Sequence, residues 1–193
     1  MSTPERQPTH RNEKPAWTER SSSMASVSVF LSDEQGRLLM VQDLNSHGGK
    51  WSPIAGYVDD LVGEEPEIAA LREAKEELGL DIRLDQLLGV WHYYEKNSIH
   101  QSPSKDTATS NGKNKVKMHV GYAFRGTILD GTFTMQPEEI QNYGFFAPSE
   151  IEKMNAGGKL KTPEYNYDGF KLWENGTKHP LDIVRSNTRA RLT

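Results

Sequence analysis

Cysteine is absent from the 193-residue chain, which removes disulfides, thiolate zinc sites and cysteine nucleophiles together. Long apolar runs are missing too, and nothing approaches the roughly 20 residues of a membrane-spanning helix. The start of the chain, with Glu5, Arg6, Arg11, Glu13 and Lys14, lacks the apolar stretch of a secretory signal. A basic excess is likewise lacking: the formal net charge is −4 and the pI near 5.9. Modules that grip a nucleic-acid backbone usually carry surplus Lys and Arg. These absences make a cytoplasmic protein the default expectation, with neither a membrane nor a long nucleic acid as partner. A small nucleotide stays open, because metal ions can neutralise its charge locally.

What is present is one domain with appendages, large enough to bury a core. Residues 1–23 are polar, carry Pro4, Pro8 and Pro15, and read as a flexible arm. From Met24, the residues Val27, Val29 and Leu31 alternate with Ser26, Ser28 and Phe30, and Leu38-Leu39-Met40-Val41 follows a turn at Asp33-Glu34-Gln35-Gly36. That pattern predicts a β-hairpin. Further strands are expected at Trp51 to Val58, Leu87 to Tyr94, Val116 to Leu129 and Ile140 to Phe146, with a short helix over Pro148 to Met154. The domain is placed at residues 24–160, interrupted by a polar insertion over 97–114 that reads as a lid, a dimer contact or disorder. Residues 161–193 form a C-terminal segment, docked in part through Tyr167, Phe170, Leu172 and Trp173 and frayed from Arg185.

The clearest helix runs from Pro66, suited to the first turn, to Leu78, with Gly79 placed to close it. Glu64, Glu65 and Glu67 complement its positive end. At about 100° per residue, Ile68, Leu71, Ala74 and Leu78 share one arc, which is the expected core face, with Lys75 snorkelling at its edge. Glu73, Glu76 and Glu77 cluster on the opposite side, beside open space at Ala69 and Ala70. Like charges at these spacings repel by a few tenths of a kcal/mol, roughly, per pair. A hard divalent cation reverses that sign, since Mg²⁺ takes oxygen ligands. The helix alone does not choose between a metal site and a solvated acidic face, because Arg72 can satisfy Glu76 one turn on.

The context chooses. Glu64, seven residues, then Arg72-Glu73-Ala74-Lys75-Glu76-Glu77-Leu78-Gly79-Leu80 resembles the box of the Nudix hydrolase family. One departure is visible: the family's opening glycine finds its counterpart in Gly56, with a loop two residues longer than usual before Glu64. The resemblance extends over about Ala25 to Met154 and leaves out the N-terminal arm.

That resemblance implies an α/β fold, an α/β/α sandwich with a mixed sheet and a loop-helix-loop catalytic motif. It implies Mg²⁺ or Mn²⁺ as cofactor and hydrolysis of a diphosphate linkage in a nucleoside diphosphate derivative or similar small molecule. Glu76 and Glu77 would be the principal metal ligands, Glu73 would bind metal or help deprotonate water, and Arg72 would orient Glu73. Gly56, Gly79 and Glu64 would support the motif, and a late-loop carboxylate would come from Glu138 or Glu139, of which Glu139 is the choice. Arg125 is a candidate for attracting phosphate, and Trp91, His92, Tyr93 and Tyr94 are candidates for stacking a base. The isoprenoid-diphosphate isomerase branch needs a catalytic cysteine that this chain lacks. The competing reading is a regulatory module of the same fold that binds a nucleotide without cleaving it. A capped RNA end and a homodimer are compatible with the sequence.

Overall fold

The computed structural model describes residues 23–44, 49–59, 63–96 and 116–183. The arm before Ser23, the 97–114 insertion and the stretch from Arg185 lie outside the described residues, so the expectations for them stand where the sequence left them.

Strand β1 (Ser23–Leu31) organises the molecule, because both of its edges and both of its faces are used. It pairs antiparallel with β4 (Ile54–Tyr57) and parallel with β6 (Val116–Asp130), and β6 pairs antiparallel with β5 (Asp81–Lys96). The result is a mixed four-stranded sheet in the order β4-β1-β6-β5. A second, three-stranded sheet places β2 (Leu38–Asp43) between β3 (Trp51–Ser52) and β7 (Ile140–Phe146), all antiparallel.

The hairpin expected from residues 24–41 therefore does not form. The turn is there: Asp33 Oδ1 accepts from the Gln35 and Arg37 amides at 3.0 and 2.9 Å. But β1 and β2 share one isolated bridge, Ser32–Leu38, and then diverge into different sheets. With β4 and β6 on its two edges, β1 has none left for β2.

Helix α1 (Pro66–Leu78) packs against β4, β1 and β5, while α3 (Pro163–Glu174) packs against β5, β1 and β6 on the other face. This is the expected α/β/α sandwich. Alternation along β1 feeds both layers. Val27, Val29 and Leu31 join Ala69, Ala70, Ala74 and Leu78 of α1 in one core. Phe30 joins Phe170 and Trp173 of α3, and Ile151 of α2 (Pro148–Ala156), in the other. Each fully buried Val, Leu, Ile or Phe among these contributes about 1.5–3 kcal/mol over leaving it exposed, and each alanine methyl less. Phe170 and Trp173 dock α3 onto this second core. Among the described residues, no helix is long and apolar enough to cross a membrane.

Helix α1 has the predicted ends, with Pro66 at its start and Gly79 closing it at φ 72°. Its orientation is rotated from the expected one. Ile68 and Leu71, assigned to the core, are 53% and 37% exposed, whereas Glu73 and Glu77 are only 6% exposed. The inward face is built from Ala69, Ala70, Glu73, Ala74, Glu77 and Leu78. The alanines read as open space are what allow the helix to sit close to β1 and β4, and that proximity is what buries the two carboxylates.

Candidate active site

Two buried carboxylates on one helix face need compensation, and Arg72 supplies much of it. Its Nε donates to Glu64 Oε1 at 2.8 Å and its Nη2 to Glu64 Oε2 at 3.0 Å, a bidentate pair. Nη1 donates to Glu73 Oε1 at 2.7 Å and to Glu76 Oε2 at 3.1 Å, and Nη2 also reaches the Tyr57 carbonyl at 2.9 Å. A guanidinium has five N–H donors, and all five are engaged. Glu64 in turn accepts the Asp59 amide at 2.8 Å, fastening the long loop ahead of the helix. Burial works against charge on both partners. Even so, the Arg72 hydrogen bond and the Asp59 amide hold the Glu64 carboxyl below its usual range, and Glu64 and Glu73 raise the pKa of Arg72.

Gly56 decides how close Glu73 comes to the sheet. A Cβ on Gly56 would lie 2.0 Å from the Glu73 carboxyl carbon and from its Oε1. Only a residue without a side chain leaves room for the carboxylate there. This explains in physical terms why a glycine stands at this point of β4.

Glu77 is buried in an environment that disfavours its charge. Burial and the neighbouring Glu73 push its pKa well above the ordinary carboxylate value, against the Ala55 backbone amide and the Lys161 charge, which favour ionisation. Its Oε2 is buried without a hydrogen-bond partner. A divalent cation would relieve this arrangement, and the donor set of carboxylate oxygens suits Mg²⁺ or Mn²⁺. Among the described residues, no three acidic or histidine side chains converge closely enough to cage an ion as they stand. Arg72 draws Glu73 and Glu76 to itself, so an ion would compete with the guanidinium for them.

On the opposite face of the sheet, a cleft of about 120 Å³ opens between β1, β4 and β6 on one side and the start of α3 on the other. Ser26, Ser28, Ala55, Tyr57, His119, Tyr165 and Asn166 are among its walls, and Gly56 and Lys161 also border it. Lys161 Nζ pairs with Asp43 Oδ2 at 2.6 Å. Strand β4 is the sheet's edge. Glu73 therefore approaches it from one side and the cleft from the other.

A NUDIX domain matches residues 22–164. The chain belongs to the NUDIX domain family. Among solved structures, it is similar to a NUDIX hydrolase from Nitrosomonas europaea, at 19% identity and a TM-score of 0.63, over 86% of this chain and 99% of that one. It is also similar to an ADP-ribose pyrophosphatase from Streptococcus suis 89-1591, at 18% identity and a TM-score of 0.54, over 81% and 94% of the two chains. The NUDIX domain of Shewanella oneidensis NrtR, solved with ADP ribose, aligns at 14% identity and a TM-score of 0.57 over 86% and 94%.

Within this Nudix fold, Arg72 gathers Glu64, Glu73 and Glu76, Glu73 lies against Gly56, and Glu77 faces the Ala55 amide. Glu139 ends a loop that clasps the helix, in which the Gln136 amide donates to the Glu77 carbonyl at 3.0 Å and Gln136 Nε2 lies 3.4 Å from Glu139 Oε1. Arg125 is not brought to the site. It lies on the α3 face, donating to the Trp173 carbonyl at 2.6 Å with its guanidinium over the Trp173 ring. Its role there is to fasten the end of α3, and the cations beside the carboxylates are Arg72 and, next to Glu77, Lys161. Trp91 packs edge-on against Tyr165, with ring centroids 5.1 Å apart, and His92 is exposed. The side chains of Tyr93 and Tyr94 lie outside what is described.

Sequence reasoning missed Asp43, Lys161, Ser28, His119 and Asn166. One signal for the cleft was in view. Ser26 and Ser28 interrupt the apolar pattern of a strand that carries Phe30 on the same face, which marks a polar gap above the sheet.

Proposed function

We propose that this Nudix chain hydrolyses a diphosphate linkage in a nucleoside diphosphate derivative, with Mg²⁺ or Mn²⁺ as cofactor. The observation that carries this reading is the buried Glu73–Glu77 pair, with Glu77 Oε2 unpartnered, at the edge strand that also borders a polar cleft. Such a pair is costly unless a cation or a proton neutralises it.

A bound divalent ion would neutralise phosphate oxygens and orient water. Glu73, Glu76 and Glu77 would hold it through carboxylate oxygens. The chemical step adds a water oxygen to one phosphorus and breaks the bridging P–O bond, so that the bridging oxygen leaves with the other phosphate. A carboxylate of the box takes the water's proton. Arg72 keeps Glu73 in place through the contact at 2.7 Å. Lys161, beside both Glu77 and the cleft, supplies positive charge to the substrate's phosphates, and Glu139 closes the far end of the site. The nucleoside part occupies the cleft.

The test is a mixed panel of nucleoside triphosphates, nucleotide sugars, ADP-ribose, dinucleoside polyphosphates and capped RNA, with Mg²⁺ or Mn²⁺ and identification of products. Wild type is expected to release two phosphorylated fragments from at least one class. Glu76→Gln and Glu77→Gln are expected to lose about 10²- to 10⁴-fold in rate. A nucleotide bound at this site and left uncleaved across the panel would favour the regulatory-module reading instead.

A further inference from the structure

The cleft opposite α1 contains two polar atoms whose situation is informative. Asn166 is 5% exposed and Ser28 fully buried. Asn166 Nδ2 donates to the Lys161 carbonyl at 2.6 Å, which fixes the amide's orientation, since only the nitrogen can donate there. Its Oδ1 is therefore an acceptor, and it is buried with no partner. Ser28 Oγ is buried and unpartnered as well. Both residues line the cleft. Orphan polar atoms are rare in folded proteins and call for an explanation, and here two of them border one cavity.

The surroundings narrow what could satisfy them. Tyr57, His119 and Tyr165 contribute rings to the same walls. Tyr57 and His119 lie against each other at 5.6 Å, and His119 Nε2 is 3.0 Å from Ser26 Oγ. Aromatic walls suit the flat face of a nucleobase. An acceptor fixed in orientation requires a donor from the ligand. Adenine and cytosine present an exocyclic amine at the position where hypoxanthine and uracil present a carbonyl oxygen. That carbonyl would face the Asn166 oxygen with like polarity.

The backbone supports a dedicated arrangement. Thr162, between Lys161 and Pro163, has φ 42°, a left-handed conformation that a β-branched residue rarely adopts. The strained link brings the Lys161 carbonyl under the Asn166 amide, and strain of this kind gathers at binding sites.

We infer that this cleft reads the base of the substrate, with Asn166 Oδ1 accepting from an exocyclic amine and Ser28 Oγ serving as the second polar contact, so that amino bases are preferred over their keto counterparts. The inference rests on the proposed nucleotide reading of the site and assigns Asn166 as its specificity-determining residue.

The experiment measures binding of AMP, IMP, CMP, UMP and ribose 5-phosphate to the full chain by calorimetry without divalent metal, so that it does not depend on turnover. AMP is expected to bind about tenfold to a hundredfold more tightly than IMP, and CMP than UMP, because a site built to hydrogen-bond one group rejects the analogue that lacks it. Asn166→Leu should bring both ratios close to one. Ser28→Ala removes a hydroxyl that has no partner in the fold, and should weaken AMP binding without lowering the melting temperature. It therefore tests the cleft even if Asn166→Leu fails to fold. Equal affinities within each pair, or ribose 5-phosphate binding as tightly as AMP, would overturn the inference. Amine-selective binding without hydrolysis of any substrate would leave it standing and overturn the hydrolase reading alone. Hydrolysis with no preference between amino and keto bases would do the reverse.

Discussion

The two long faces of α1 invert the usual distribution of side chains. The inward face carries Glu73 and Glu77 among alanines, each 6% exposed, while Ile68 and Leu71 stand in solvent at 53% and 37%. A helix selected for stability alone would turn the other way, since buried aliphatic side chains stabilise and buried carboxylates cost several kcal/mol, roughly, without a partner. The proposed metal-binding role of the inward face would account for that inversion, whereas the outward face is a surface that the fold leaves exposed.

The sharpest way to break this contrast is Gly56→Ala. The added methyl would land 2.0 Å from the Glu73 carboxyl carbon, forcing that carboxylate away from β4. Displacement of a catalytic group by about 1 Å can cost on the order of a hundredfold, and a loss of that size in kcat/KM is expected, with a lowered Tm. Unchanged kinetics would mean that the close approach of Glu73 is incidental.

Arg72→Lys comes next. A lysine keeps the charge but has three donors in place of a planar five-donor fork, so some of Glu64, Glu73, Glu76 and the Tyr57 carbonyl must lose their partner. Each hydrogen bond to a charged group is worth about 1.5–3 kcal/mol, and chemical denaturation should show a loss in that range.

The pH response follows from Glu77. Its carboxyl holds a proton more tightly in the folded chain than in the unfolded one, so the metal-free protein loses stability as pH rises from about 4.5 through the raised folded value. Glu64 acts in a separate window. Its folded pKa is lowered, so its contribution is intact above about 4.5 and fades only as pH falls below that. Thermal melts in a chelator at pH 5 and pH 8 should show the decline, Mg²⁺ should reduce it, and Glu77→Gln should flatten it. The smallest effect is expected on the outward face, where Ile68→Ser and Leu71→Ser should shift stability by no more than about 0.5 kcal/mol and leave activity intact. A large loss there would show that the exposed aliphatics are doing something.

Much of this was legible in the sequence, for reasons that differ by element. The ends of α1 were readable because Pro66 and Gly79 punctuate them, and the end of β7 because Pro148 follows it. The box carboxylates were readable because their spacing is fixed. The rotation of α1 was not, since a helical wheel ranks side chains by hydrophobicity and cannot know that a carboxylate is wanted inside. Nor was the parting of β1 and β2, which depends on competition from strands far along the chain. Arg125 drew notice as a cation, but sequence gives no hint that Trp173, 48 positions later, claims it. Asn166 and Ser28 belong to no motif. Their meaning lies in what fails to contact them.

Strand β4 is four residues long, and neighbours along it face opposite ways. Gly56 yields its space to the box, while Ala55 and Tyr57 look into the cleft. If the cleft takes the nucleoside as proposed, substitutions at Ala55 and Tyr57 would change which molecule is admitted while Gly56 keeps Glu73 in place. On the proposed reading, a single ribbon of backbone separates preference from reactivity.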